Sequence, residues 1–139
     1  MRVLIDTNVV LDWLARREPF FSNAEAVMVE CITGNVEGYL TSHMLTDLFY
    51  ILRKDFDIAK RKRLLLSLCD HFQIIPEDSL AMATVLTNED WHDLEDGLQI
   101  WRASLLGLDY IITRNVKDFA KSTVPALSPE EFMERYTKL

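Results

Sequence analysis

Asp6, Asp47, Asp93, Glu95, Asp96 and Asp118, with Asn115 beside the last of them, are the residues of this chain whose types and positions could do chemistry. They are hard oxygen donors with no histidine or cysteine in the pattern, a set suited to Mg²⁺ or Mn²⁺ rather than zinc. Such ions, with coordination positions left open, activate water and hold phosphate oxygens, so a hydrolase of phosphodiesters is the sharpest chemistry that fits. Each residue also has a plainer reading. Asp6 could cap the helix behind it, Asp93, Glu95 and Asp96 could serve the positive end of theirs, and Asn115 or Asp118 could cap a short helical turn.

The elements that must position these groups can be read from hydrophobic spacing. Val3, Leu4 and Ile5 form a branched run without alternation, a buried parallel strand that delivers Asp6 to the strand's carboxyl end, where open α/β sheets bind ligands. A helix follows from near Val9 and stops at Arg16-Arg17-Glu18-Pro19. Ser22 and Glu25 read as a capping box for a second helix carrying Ala26, Val27, Val29 and Ile32 and ending at Gly34. Tyr39 and Leu40 suggest a second strand, Thr41-Ser42 opens a third helix with Asp47 at the border of its buried face, and a fourth helix spans about 58 to 72. Gln73-Ile74-Ile75-Pro76 reads as the third strand, 79 to 86 as a helix, and Asp93 to Gly107 as another with its acids in front. The run 109 to 113 is the fourth strand and brings Asn115 and Asp118 to the same sheet edge as Asp6; 124 to 127 is a short edge strand, and Ser128-Pro129 opens the last helix. Strands alternating with helices predict an α/β fold, a three-layer α/β/α arrangement around a central parallel sheet of four or five strands.

With 139 residues, 49% of them hydrophobic, the chain suffices for one domain over residues 1 to 139 that needs no disulfide to hold its core. Cys31 and Cys69 both lie in apolar helical patterns and read as core residues. No segment approaches membrane-spanning length and no leader precedes the first strand, so a cytoplasmic protein without a membrane partner is expected. A net charge of -7 excludes a protein that holds nucleic acid by bulk electrostatics, yet not one whose acids are covered by bound cations.

Ile5-Asp6-Thr7-Asn8, Asp47, Asp93-Leu94-Glu95-Asp96-Gly97-Leu98-Gln99 and Thr113-Arg114-Asn115-Val116-Lys117-Asp118-Phe119 stand in an order and spacing that resembles PIN-domain ribonucleases, of the VapC-like toxin branch. The resemblance covers nearly the whole chain. It implies a parallel sheet flanked by helices, one or two Mg²⁺ or Mn²⁺ ions, cleavage of RNA to a 3′-hydroxyl and a 5′-phosphate, a homodimer, and a groove on the early helices for an antitoxin. By position it implies that Asp6 is the central ligand, that Asp47 stands where Glu is more usual, and that Asp96 is the third acid; Asn115 and Asp118 both compete for the fourth place. Asn8, Thr113, Arg114 and Lys117 neighbour that edge and are taken as substrate contacts. An Asp6→Asn change is expected to abolish Mn²⁺-dependent cleavage and to leave thermal stability unaltered.

Other features divide between function and structure. Lys60-Arg61-Lys62-Arg63 reads as a solvated helix start rather than an RNA-steering patch. His92 in its polar connection is incidental, and Trp13, Phe20 and Phe21 belong to a core or an interface. Two other functions stand beside the ribonuclease: a non-catalytic PIN fold that binds RNA or protein, and a phosphatase of the haloacid dehalogenase type, which needs an acid where Asn8 stands.

Overall fold

Val3, Leu4 and Ile5 are wholly buried, as a branched run must be when helices cover both faces of its sheet. In the computed structural model, which describes residues 1 to 139, they belong to β1 (Arg2–Ile5), the middle strand of five. The others are β2 (Glu37–Thr41), β3 (Gln73–Ile75), β4 (Tyr110–Ile112) and β5 (Ala126–Leu127). All pair in parallel in the order β3-β2-β1-β4-β5. The chain therefore steps outward from β1 on one side, then crosses to the other. The crevice outside the carboxyl ends of β1 and β4 is the topological switch point, where such sheets bind ligands. Register sets Ile5 beside Ile112, so Asp6 and Thr113 leave the sheet side by side.

Seven helices flank the sheet: α1 (Thr7–Leu14), α2 (Phe21–Ile32), α3 (Ser42–Ile51), α4 (Ile58–His71), α5 (Ser79–Leu86), α6 (Leu94–Leu106) and α7 (Pro129–Thr137). Right-handed crossovers put α1 to α4 on one face and α5 with α6 on the other. The packing agrees, since α2 lies against α1 and α7, α3 against α1 and α4, and α5 against α6. Phe132 of α7 is fully buried and closes the first face, meeting Tyr110 edge-on and stacking on Tyr136. Gly107 takes a left-handed conformation at φ 63° and ends α6.

Three sequence expectations are corrected here. Ser22 does not cap α2, because Pro19 and Phe20 form a turn whose last residue is already near-helical (φ -89°, ψ -14°), and an N-cap needs an extended backbone to aim its side chain. The helix starts at Phe21 and buries Ala24, Val27, Met28 and Cys31, an i, i+3, i+4, i+7 stripe, while Val29 is exposed. Cys69 is exposed; only Cys31 is a core thiol, and burial pushes it up to about 12. Lys60, Lys62 and Arg63 are exposed, as a solvated helix start requires, while Lys60 and Arg61 also lie over the rings of Phe56 and Phe49.

One glycine is fixed by close approach. A Cβ on Gly38 would stand 2.6 Å from the ring carbons of buried Phe72 and 3.0 Å from Cys31 Sγ. Gly38→Ala should cost about 1–3 kcal/mol, the usual range for overpacking, read as a lower denaturation midpoint at unchanged slope.

Candidate active site

Asp6 sits in the switch-point crevice at 6% exposure, and its carboxylate is fully engaged. Oδ1 accepts from the Thr7 N–H at 2.7 Å and from Gln99 Nε2 at 3.0 Å; Oδ2 accepts from Thr113 Oγ1 at 2.7 Å and from Asn8 Nδ2 at 3.0 Å. Four donors fill the acceptor capacity of an ionised carboxyl group. Asp6 is thus both the cap of α1 and the hub that ties α1, α6 and β4 together. Asn8 continues the link, since its Oδ1 accepts from the Arg114 N–H at 3.3 Å. Gln99 is fully buried, and its Oε1 has no donor.

The other acids arrive from three further elements. Asp47 is half-buried on α3, and Asp96 is half-buried in the first turn of α6, its N–H held by the capping carboxylate of Asp93 at 2.9 Å. Asp118 is exposed on the 3-10 helix Val116–Phe119. Burial, with the carboxylates of Asp93, Asp6, Asp118 and Glu95 around it, pushes the Asp96 carboxyl up to about 7. Such mutual repulsion is what a divalent cation relieves, and the donors are the hard oxygens that Mg²⁺ and Mn²⁺ prefer. As the side chains stand, no three acidic or imidazole groups close on a common point. The donor set therefore fits a divalent ion in its chemistry, without a preformed cage.

Asp96 and Asp118 share a cleft of about 430 Å³ with Lys117, Lys121, Trp91 and His92. Asn115 does not line that cleft; its N–H donates to Thr113 Oγ1 at 3.0 Å. Lys121 had no signal in the sequence, whereas His92, read as incidental, lies beside the acids.

A pH effect follows from Asp96. Its folded value lies above the ordinary 3.8, so the proton favours the folded state. That contribution is complete below about pH 4 and is lost as pH rises through about 7. Without metal, the thermal midpoint should carry a component that falls between pH 5 and 8, with Glu95, also raised by burial, adding in the same direction. Mn²⁺ should reverse the trend, because it competes with the proton; thermal scans in EDTA and in Mn²⁺ across this range check both statements.

Histidine was not expected near the acids, yet α3 supplies one. His43 Nε2 lies 3.8 Å from Glu95 Oε1 and 3.3 Å from Thr41 Oγ1, and His43 Nδ1 lies 3.4 Å from Glu77 Oε1. Arg102 stands on the far side of Glu77, with Nε 3.8 Å from Oε2. Glu77 follows the proline that ends β3 and Arg102 lies on α6, so no local spacing in the sequence joined them. Glu95 itself accepts from Thr7 Oγ1 at 2.8 Å.

Arg114, expected at the substrate, is turned toward α1. Its Nε bonds buried Asp12 Oδ2, its Nη2 lies 3.3 Å from Asp12 Oδ1, and its guanidinium stacks 4.0 Å from the centre of the Phe20 ring. Lys117 remains the cation of that motif that faces the acids.

The sequence profile of the PIN domain matches residues 2–117. Ribonuclease VapC1 of Aquifex aeolicus is 27% identical over 144 residues, covering 99% of this chain and 97% of that protein. Among solved structures, a toxin-antitoxin complex from Klebsiella pneumoniae matches at a TM-score of 0.68 and 22% identity, covering 91% of this chain and 97% of that one. VapBC-1 of nontypeable Haemophilus influenzae matches at 0.68 and 17%, covering 94% and 99%.

Proposed function

The chain belongs to the PIN domain family, and we propose that it is an endoribonuclease dependent on Mg²⁺ or Mn²⁺, the toxin of a toxin-antitoxin pair. The observation that carries this reading is the gathering of Asp6, Asp96 and Asp118 at the switch point, where burial, together with the carboxylates of Asp93, Asp6, Asp118 and Glu95, pushes the Asp96 carboxyl up to about 7. The names of its relatives support the substrate and the partner.

In this reading Asp6, Asp47, Asp96 and Asp118 hold the metal. Asp118 is preferred to Asn115 for the fourth place because it shares a cleft with Asp96. The bound ion supplies activated water and charge neutralisation at the scissile phosphate. Asn8, Thr113 and Gln99 keep Asp6 in place through their hydrogen bonds. Lys117, joined by Lys121, meets phosphates on either side of the bond that breaks, compensating a chain whose net charge is -7.

The partner surfaces follow from what is left uncovered. Trp13, Leu14, Phe21, Phe56 and Leu64 line a cavity of about 440 Å³ between α1, α2 and α4, suited to an antitoxin helix. Leu80, Leu86 and Leu105 are each at least 60% exposed on α5 and α6 and suit a second copy of the chain. The whole chain acts as one domain, in the cytoplasm where its RNA is; no helix is long and apolar enough to cross a membrane.

The test is cleavage of an RNA oligonucleotide by the purified protein in Mn²⁺ and in EDTA. Internal cuts that need the metal and leave 5′-phosphate ends are expected. Equal cleavage in EDTA, or no Mn²⁺ binding by calorimetry, overturns the reading.

A further inference from the structure

Glu95 has a geometry that the first turn of α6 does not require. Asp93 caps the helix and Asp96 faces the cleft, but Glu95 reaches across the crevice to Thr7 on α1 and His43 on α3. Oε1 makes both contacts, while Oε2 has no hydrogen bond in the protein. Asp6 is saturated by four donors and can take an ion only by releasing one of them; Glu95 has an oxygen to give without loss. A second, independent sign lies next to Asp6. The fully buried carboxamide of Gln99 ends on that carboxylate, and its other atom, Oε1, has no donor. A buried acceptor without a donor calls for a cation or a donor that the protein itself does not provide.

The side of Glu95 away from the crevice is braced. Glu77 is only 10% exposed, neither of its oxygens has a hydrogen bond of good geometry, and it lies between His43 and Arg102. A carboxylate buried that deeply must keep its cationic partner, here Arg102, close. Arg102 is fixed in turn, with Nη2 donating to the Pro76 carbonyl at 2.8 Å and standing 3.2 Å from Asp78 Oδ2. The His43 ring is therefore held with Nδ1 toward Glu77 and Nε2 toward Glu95.

We propose that Glu95 is a ligand of the divalent ion, and that His43, braced by Glu77 and Arg102, is the positioning residue that aims its carboxylate into the crevice. Thr7 does the same from α1. This inference rests on the reading that the crevice binds Mn²⁺ or Mg²⁺, and it adds a carboxylate beyond Asp6, Asp47, Asp96 and Asp118. The arrangement matches the general design of metal sites, in which outer hydrogen-bond partners orient the ligands and their loss weakens binding by about 10–100-fold.

Mn²⁺ affinity measured by calorimetry tests it without reference to catalysis. Glu95→Gln should weaken binding at least tenfold. His43→Gln, which keeps much of the volume, should weaken it severalfold, a change that a purely structural histidine would not produce. In wild-type protein labelled at glutamate side-chain carboxylates, Mg²⁺ should shift the Glu95 resonance. Wild-type Mn²⁺ affinity in Glu95→Gln, or a Glu95 resonance that Mg²⁺ leaves in place, overturns the inference while the nuclease reading stands. Failure of the wild-type protein to bind Mn²⁺ defeats the nuclease reading itself.

Discussion

Asp96→Asn should lower Mn²⁺-dependent RNA cleavage by roughly 10³-fold, the scale of removing a principal electrostatic group from a hydrolytic site, and should at the same time raise the thermal midpoint. The two effects have one cause. Burial and four neighbouring acids push the Asp96 carboxyl up to about 7, so above neutral pH the folded protein carries that charge against its own field. Asparagine keeps the shape and removes the repulsion; the residue is half exposed, so solvent screening holds the gain below about 1 kcal/mol. Scans at pH 8 in EDTA read the gain, and it should shrink at pH 5, where the wild-type carboxyl is protonated. Retained cleavage, or a lower midpoint at pH 8, would sink this account of the site.

Asp6→Asn is a different experiment, contrary to the expectation that it would leave stability untouched. All four donors to Asp6 point at carboxylate oxygens, and an amide nitrogen in place of one oxygen faces a donor instead of accepting from it. A buried donor left without an acceptor costs about 1–3 kcal/mol. Lost activity in Asp6→Asn therefore mixes a chemical defect with a folding defect, whereas Asp96→Asn separates them.

The contrast shows which parts of this molecule were legible in its sequence. The bounds of β3 and α5, the burial of β1 and the capping of α7 by Ser128 are local matters, set by branching, proline and short polar side chains, and spacing alone revealed them. Asp6 and Asp118 come to one edge because parallel strands deliver their carboxyl ends there, a rule that needs only strand order, and Asp96 meets them from the first turn of α6. His43, Glu77 and Arg102 meet through three separate elements and carry no periodic signal. Asp47 and His43, four residues apart, share one face of α3, yet the sequence offered only a polar histidine near a helix start. The reversed role of Arg114 has the same origin, because its partner Asp12 is 102 residues away.

That partner makes the second large effect. Asp12→Asn should cost about 3 kcal/mol, the lower end of the range for breaking a buried ion pair by removing one member. Asp12 is 1% exposed, and it holds two nitrogens of a guanidinium that Phe20 covers from the other side. The lower end applies because the Arg114 side chain keeps 29% of its surface, so its charge is partly hydrated after the loss. An apolar replacement of both members, Asp12→Leu with Arg114→Met, should recover most of the stability, since no charge is then left unpaired. Urea denaturation of the two single variants and the double variant gives the coupling directly; additive losses would show that the pair does not act as one unit. Cleavage by the double variant then decides what Arg114 does for RNA. The guanidinium spends its directed bonds on Asp12, and its backbone N–H, which any residue supplies, is what reaches Asn8. Near wild-type cleavage is therefore expected, and a large loss in a stably folded double variant would return Arg114 to the substrate.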